Sequence, residues 1–147
     1  MSKEFGSMPL TWTKLGEYND VSDIYLCDQI VAVMRFDAKS NKWTGSDLQR
    51  WLNCEFYRQA FTDEQRKKIV GNETTHDCVF ILSVEEFNRF NSHIKIIELP
   101  WWLRSPGSYA NYAALVDDYG DVDGGGDDVD GGSIGVRPAI LLRKKAK

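Results

Sequence analysis

The sequence predicts a single α+β domain in which short helices lie between strands near the two ends of the chain, and these terminal strands pair. Three observations support this. The chain has 147 residues, the length of one domain that can bury its own core. Helix-start signals gather in the first two thirds of the chain. Apolar runs typical of strands lie near both ends.

Two strand candidates lie close to the N-terminus. MPLTWTKL at 8–15 and IYLCDQIVAVMRF at 24–36 are rich in residues that favour sheets, and they flank a predicted turn from Gly16 to Asp20. The start of the chain, including Phe5, lacks the apolar middle of a signal peptide, and no window holds 18 consecutive apolar residues. We therefore expect a soluble protein, cytoplasmic or phage-associated, without membrane insertion.

Three helices are predicted by one shared signal. In each case a Ser or Thr precedes a Glu or Gln by three residues, so that the two side chains satisfy each other's exposed backbone donors. The pairs are Ser46 with Gln49, Thr62 with Gln65, and Ser83 with Glu86. The helices that follow are predicted within residues 46–61, 62–70 and 83–90. In the first, Leu48, Trp51 and Leu52 fall on one face at helical spacing.

Two further strand candidates follow in the second half. HDCVFILS at 76–83 is predicted to be a short buried strand that precedes the third helix. GVRPAILL at 135–142 is rich in sheet-filling residues, and Pro138 indicates an edge position or a strand start.

The charge distribution limits the classes of partner. The net charge is −4, and residues 117–130 hold seven Asp and no base, whereas 143–147 form a basic tail. Nucleic acid is therefore not the expected partner, and the tail is predicted to be a solvated terminus. Cys27, Cys54 and Cys78 are far apart and in no CxxC arrangement, which favours free thiols in a reducing compartment.

Two aromatic and basic blocks flank the acidic run. WWLRSPG at 101–107 places two indoles, Trp101 and Trp102, beside Arg104, and GVRPA at 135–139 places Arg137 between a Val and a Pro. We predict a scaffold role for these four residues. Each Arg is expected to stack on an indole or to bridge backbone carbonyls.

These blocks carry a resemblance to a known family. The order of motifs resembles a widespread bacterial and phage domain with a C-type-lectin-like fold of the formylglycine-generating-enzyme type, over about Phe5 to Leu142. The motifs are Trp43, WLN at 51–53, FY at 56–57, AF at 60–61, DCVFILS at 77–83, WWLRSPG at 101–107 and GVRPAI at 135–140. Some proteins with this fold are the variable proteins of diversity-generating retroelements. In these, a template copied with errors at adenines replaces the end of the target gene.

The resemblance implies that residues 108–133 form a diversified ligand-binding segment. An AAC or AAT codon that changes only at its adenines never encodes Lys, Glu, Gln, Trp or Met, and the segment contains none of these five residues. Apolar positions are expected to anchor it. These are Ala113, Ala114, Leu115, Val116, Val122, Val129 and Ile134. The predicted variable residues are Tyr109, Asn111, Tyr112, Asp117, Asp118, Tyr119, Asp121, Asp123, Asp127, Asp128 and Asp130, with some Gly and Ser positions.

The composition of this segment indicates its ligand class. Tyrosines among small polar residues are typical of adaptable binding surfaces, and the acidity favours a basic protein or a glycan as partner. The alternative is a lectin-like interaction module of bacterial or phage origin that is not diversified, because Asp and Gly are also common for turn chemistry alone. The oligomeric state is left open.

We expect neither a metal nor another cofactor. DVDGGGDDVDGG departs from the EF-hand pattern, since Gly125 and Gly132 stand where ligands are needed. Cys54, His76 and Cys78 match no standard metal spacing, and no P-loop, GxSxG or GxGxxG motif occurs. A vestigial enzyme-like domain is the third hypothesis, but the expectation is a protein without catalytic activity.

Overall fold

The computed structural model describes residues 2–4 and 10–144. They form a mixed α+β domain with two five-stranded sheets and a few short helices. The strands are β1 (Ser2–Glu4), β2 (Thr11–Glu17), β3 (Ser22–Cys27), β4 (Ala32–Val33), β5 (Ile69–Val70), β6 (Trp101–Pro106), β7 (Tyr112–Val116), β8 (Val122–Asp128), β9 (Gly135–Val136) and β10 (Ala139–Arg143). The helices are α1 (Asp47–Trp51), α2 (Tyr57–Ala60), α3 (Asp63–Lys68) and α4 (Val84–Phe90). A π-helical turn, Leu52–Phe56, joins α1 to α2, and a 3-10 turn, Asn91–His93, follows α4.

The first sheet has the strand order β1-β2-β3-β10-β5 and contains the terminal strands. β10 lies antiparallel to β3, with Ile140 opposite Tyr25. The predicted pairing of N-terminal and C-terminal strands is therefore confirmed. Phe5, Met8 and Pro9 lie outside the described residues, so the start of the first strand candidate is not placed.

The second sheet has the order β4-β9-β6-β7-β8. Strands β6, β7 and β8 are not predicted from the sequence. For 101–107 the sequence predicts only a scaffold role, and for 108–133 it predicts only a variable binding segment. Fully buried aromatic side chains from both sheets meet in one core, among them Trp12 of β2 and Trp102 of β6. The rings of Phe36 and Trp102 pack edge to face, with 5.7 Å between their centroids.

The three predicted helix starts are present. Thr62 and Ser83 each form the full reciprocal capping box with Gln65 and Glu86. Ser46 accepts from the Gln49 backbone, but the reciprocal bond is missing because Gln49 instead accepts from Gly45 N at 2.6 Å. The first helix therefore starts as predicted with a one-sided cap.

Several of the predicted elements need correction. The strand candidates at 24–36 and 135–142 are each divided between the two sheets, the first into β3 and β4 and the second into β9 and β10. The helix predicted over 62–70 ends at Lys68, and its last two residues form β5. The predicted strand at 76–83 makes only one bridge, Phe80 to Ala139, although Val79 to Leu82 are fully buried. Asn53 explains this: its side-chain oxygen accepts from the backbone N–H groups of Cys78 and Val79, both at 2.9 Å, where a neighbouring strand would otherwise pair.

The basic tail begins later than the sequence indicates. Arg143 is the last residue of β10, where it lies opposite Ser22, and Lys144 forms an ion pair with Glu17 at 2.8 Å. Residues 145–147 lie outside the described residues.

Candidate functional site

The candidate binding surface is the hairpin of β7 and β8, at one edge of the second sheet. Val116 and Val122 pair next to its turn, and Tyr112 and Asp128 pair at its open end. β8 is the outermost strand of the sheet, so the hairpin presents both its side chains and one strand edge to solvent.

Apolar side chains hold this hairpin to the core. Six of the seven anchoring positions are buried, and Val122 is half-buried and packs against the core cluster. Ala113 and Ala114 are adjacent and both fully buried, so both faces of β7 are covered at that point. Small side chains allow close packing on each face, and the strand is therefore a fixed support for the residues around it.

None of the eleven predicted variable residues is buried. Eight are exposed and three, Tyr112, Asp117 and Asp128, are half-buried. Tyr109 and Tyr119 expose 65% and 79% of their surface, which is unusual for large rings and leaves them free to contact a ligand. Tyr112 meets Tyr109 edge to face at 5.0 Å between ring centroids.

Some of these aspartates also stabilise the local backbone. Asp117 Oδ1 accepts from the N–H groups of Tyr119 and Asp121 at 2.9 and 3.0 Å, and it thereby fixes the turn between β7 and β8. Asp123 accepts from Gly126 N at 3.1 Å in the same way. Substitution at Asp117 therefore alters the turn as well as the surface.

The open end of the hairpin is held by a residue that sequence reasoning missed. The Asn41 side-chain amide donates to the carbonyls of Tyr109 and Tyr112, both at 3.0 Å, and its backbone N–H donates to Ala110 O at 3.1 Å. Nothing in the local sequence SNKW indicates a partner so far along the chain. The contact is visible only in the folded chain.

The change in the free energy of unfolding on substitution distinguishes an exposed tyrosine, Tyr119, from a half-buried one, Tyr112. We expect Tyr119→Ala to change the free energy of unfolding by less than about 0.5 kcal/mol, because its ring is mostly in solvent. Tyr112→Ala should cost about 1 kcal/mol, since its half-buried ring packs on Tyr109. Urea unfolding monitored by circular dichroism measures both. A loss of several kcal/mol for Tyr119→Ala would place its ring in the core.

Arg104, one of the flanking scaffold residues, belongs to a buried polar network. Its guanidinium forms a two-pronged ion pair with Glu86, with Nη2 to Oε2 at 2.9 Å, and donates to Ile81 O at 2.7 Å. Glu86 also accepts from Tyr18 Oη at 2.7 Å. Burial raises the pKa of Glu86, but the hydrogen bond and charge of Arg104 outweigh it, and the pKa lies below its ordinary value. Burial and the Glu86 carboxylate raise the pKa of Tyr18.

Arg137 is 1% exposed and joins three separate parts of the chain. Its Nε donates to Cys27 O at 2.7 Å, Nη1 donates to Lys95 O at 2.9 Å, and Cζ lies 5.0 Å from the centre of the Trp101 ring. Burial lowers the pKa of Arg137 to about 10, and burial raises the pKa of the neighbouring Cys27 thiol to about 11. The side chain stacks on an indole and bridges carbonyls at the same time.

Other motif residues also have structural partners. Asp77 accepts from Trp43 Nε1 at 2.6 Å and from Gln49 Nε2 at 2.9 Å. This buried carboxylate therefore joins the segment before α1 to the segment after β5. Together with Asn53, it shows that the central motifs act through hydrogen bonds that position the chain.

The cysteine and histidine candidates do not form a metal centre among residues 2–4 and 10–144, where no cluster of three His, Cys, Asp or Glu residues suits a metal. Cys54 is exposed on the π-helical turn, Cys78 is half-buried, and all three cysteines are free thiols. His76 is exposed and adopts a left-handed backbone with φ 63°. No helix in the described part of the chain is long and apolar enough to cross a membrane.

The fold and surface together define a class: a two-sheet α+β domain that displays an acidic, tyrosine-bearing edge hairpin. Residues 22–144 match the family described as a domain of unknown function, DUF6273, and the chain belongs to that family. No curated protein and no solved structure matches the chain.

Proposed function

We propose that this chain is a ligand-binding variable protein of a diversity-generating retroelement. The observation that carries the proposal is the division of the hairpin region, in which the seven predicted anchoring positions are buried or half-buried and every predicted variable side chain reaches solvent. A surface of this kind tolerates replacement, because changes outside the core have small effects on stability.

We also propose a C-type-lectin-like scaffold for it, of the formylglycine-generating-enzyme type. The pairing of β10 with β3 supports this proposal, as do the buried roles of the motif residues Trp102, Arg104 and Arg137. In such a scaffold the motifs fix the framework while the segment between them varies. The proposed role is binding and not catalysis.

The surface chemistry indicates the partner. Exposed Tyr109 and Tyr119 offer large contact areas with few rotatable bonds, and the neighbouring aspartates give the hairpin a negative potential. Arg35, which pairs with Asp130 at 3.2 Å, offsets only a small part of this charge. A protein with a basic surface is therefore the favoured ligand, and a glycan is the alternative.

A second candidate function is a fixed interaction module without diversification. The local hydrogen bonds of Asp117 and Asp123 favour it, because they explain two of the aspartates by turn chemistry. In this case the acidic hairpin would serve one constant partner.

The gene distinguishes the two functions. We expect a near-copy of codons 108–133 close to the gene, together with a reverse transcriptase gene. The near-copy and codons 108–133 should differ only at positions where the near-copy has adenine. Sequencing the gene's 3′ end and the surrounding few kilobases tests this. If no such copy exists in the genome, the proposal of diversification is wrong and the fixed module remains.

A further inference from the structure

A groove of about 360 Å³ lies beside the hairpin turn. One wall is the loop that follows the 3-10 turn and includes Ile94, Ile96 and Ile97, and the other wall is the end of the hairpin at Gly120 to Val122. Phe87 and Trp101 also line it. The groove therefore joins residues of the proposed variable segment to residues outside it.

Ile96 is the exposed member of the isoleucine wall, whereas Ile94 and Ile97 are half-buried. Ile96 exposes 69% of its surface, although a side chain of its type is usually buried in a soluble domain. It lies tightly against the hairpin turn, since a Cβ on Gly120 would be 2.9 Å from Ile96 Cγ1. Gly120 thus allows the apolar loop and the acidic turn to form one continuous surface.

The floor of the groove is closely packed. Trp101 is 1% exposed and packs against Phe87 with 5.9 Å between ring centroids, and the Arg137 guanidinium also lies against the Trp101 ring. Because Arg137 also holds the backbone of the loop at Lys95, the loop and floor are tied to the same buried side chain. A preformed groove binds with a smaller entropy cost than one that must be ordered.

The rim beside the turn is acidic. Asp118 and Asp121 are exposed on the turn, and Asp121 lines the groove directly, whereas Lys95 lines it on the side of the loop. A ligand group on the side of the turn therefore lies next to the Asp121 carboxylate. The isoleucines and this acidic turn together favour a bulky apolar group that has a positive charge on the side of the turn.

We propose that this groove anchors a bulky apolar side chain of a protein partner, next to a lysine or arginine that contacts the acidic turn. The inference rests on the proposed binding function and gives its ligand a specific chemistry. A protein side chain fits better than a sugar, because isoleucines line the groove on the side of the loop and the Trp101 ring is too deeply buried to stack on a pyranose. The anchor contacts the constant loop, whereas the flanking charge contacts the hairpin.

The test uses the whole chain with isoleucine methyl groups labelled with ¹³C and a short probe peptide, acetyl-Lys-Trp-Lys-amide. We expect saturable shifts of the Ile94, Ile96 and Ile97 methyl resonances, with no shift for the fully buried Ile140. Acetyl-Glu-Trp-Glu-amide should bind at least about fivefold more weakly because the acidic rim repels it. Acetyl-Lys-Ser-Lys-amide should give no saturable shift at the isoleucines.

A matched pair of variants locates the site. Ile96→Ser should weaken binding of the probe about tenfold, since it removes an apolar wall of the groove. Leu99→Ser is the control, because Leu99 is 52% exposed on the same loop but does not line the groove. Both side chains are largely in solvent, so both variants should fold.

The peptide-binding results test the groove, and they are independent of the genomic test of the proposed function. Absence of saturable shifts, equal binding of the two charged peptides, or equal losses in Ile96→Ser and Leu99→Ser would overturn the groove as an anchor site. Saturable shifts at the same methyl groups with N-acetylglucosamine but not with the peptide would replace the protein ligand by a glycan. In each of these cases the search for a template copy of codons 108–133 still decides diversification independently.

Discussion

Arg104→Ala is expected to lower the free energy of unfolding by about 3 kcal/mol or more at neutral pH. The substitution removes the partner of Glu86, which is 9% exposed, and leaves a buried carboxylate with no counter-charge. It also leaves the Ile81 carbonyl without its donor. Urea unfolding at several pH values measures the loss.

The pH dependence identifies the cause. In the unsubstituted chain the pKa of Glu86 is lowered, so its contribution to stability is present above the unfolded pKa, about 4.3, and is lost as the pH falls through the folded value. Without Arg104 burial dominates and raises this pKa, so Glu86 takes up a proton on folding. The deficit of Arg104→Ala should therefore be largest near neutral pH and should shrink towards about pH 4.

Arg50→Ala is the control for this experiment. Arg50 pairs with Asp47 on α1, but its side chain is 63% exposed, and we expect a loss of less than about 1 kcal/mol. A deficit for Arg104→Ala that stays constant from about pH 7 to about pH 4 would mean that lost packing, and not the unpaired Glu86, causes the destabilisation.

The sequence predicts local chemistry better than tertiary pairing. The caps at Thr62 and Ser83 depend on residues three positions apart, and both predictions are confirmed. The reciprocal bond at Ser46 is absent because Gln49 binds Gly45 and Asp77, the latter brought close only by folding. The strand predicted at 76–83 is wrong for a similar reason, since Asn53 from the helical segment satisfies its backbone.

The hairpin shows the same limit within the candidate site. VDGGGDD has little intrinsic tendency to form a strand, because glycine and aspartate are disfavoured in sheets, yet it forms β8. Its pairing with β7 and the burial of Ala113 and Ala114 override that tendency. The family resemblance and the codon argument identified Tyr109 and Tyr119 as surface candidates, but the groove could not be predicted. It depends on the approach of Ile96 to Gly120, which no local pattern encodes.

The glycines of β8 divide into replaceable and fixed positions. Gly124 has open space around it, with no atom within 4 Å of the point where a Cβ would lie. Gly126 has a positive φ of 78°, and a Cβ there would overlap the carbonyl group of Ala113, 2.5 Å from its carbon. If the segment is diversified, codon 124 can vary, whereas codon 126 must keep glycine.

Gly126→Ala is therefore expected to lower the free energy of unfolding by about 3 kcal/mol, whereas Gly124→Ala should change it by less than about 0.5 kcal/mol. The first substitution combines left-handed strain with a clash against β7, and the clash cannot relax easily because Ala113 is fully buried. The second adds a methyl group to solvent. Thermal and urea unfolding of the two variants give the comparison directly.

Nuclear magnetic resonance spectra of the two variants show how far each substitution moves the hairpin. Gly126→Ala should shift the ¹³C and amide resonances of both hairpin strands, because β7 must move to admit the new methyl group, while Gly124→Ala should affect only its neighbours. Equal stability of the two variants would show that the backbone at Gly126 can leave the left-handed region. Position 126 would then belong with the replaceable positions, and the fixed framework of the proposed binding surface would be smaller than the packing against Ala113 indicates.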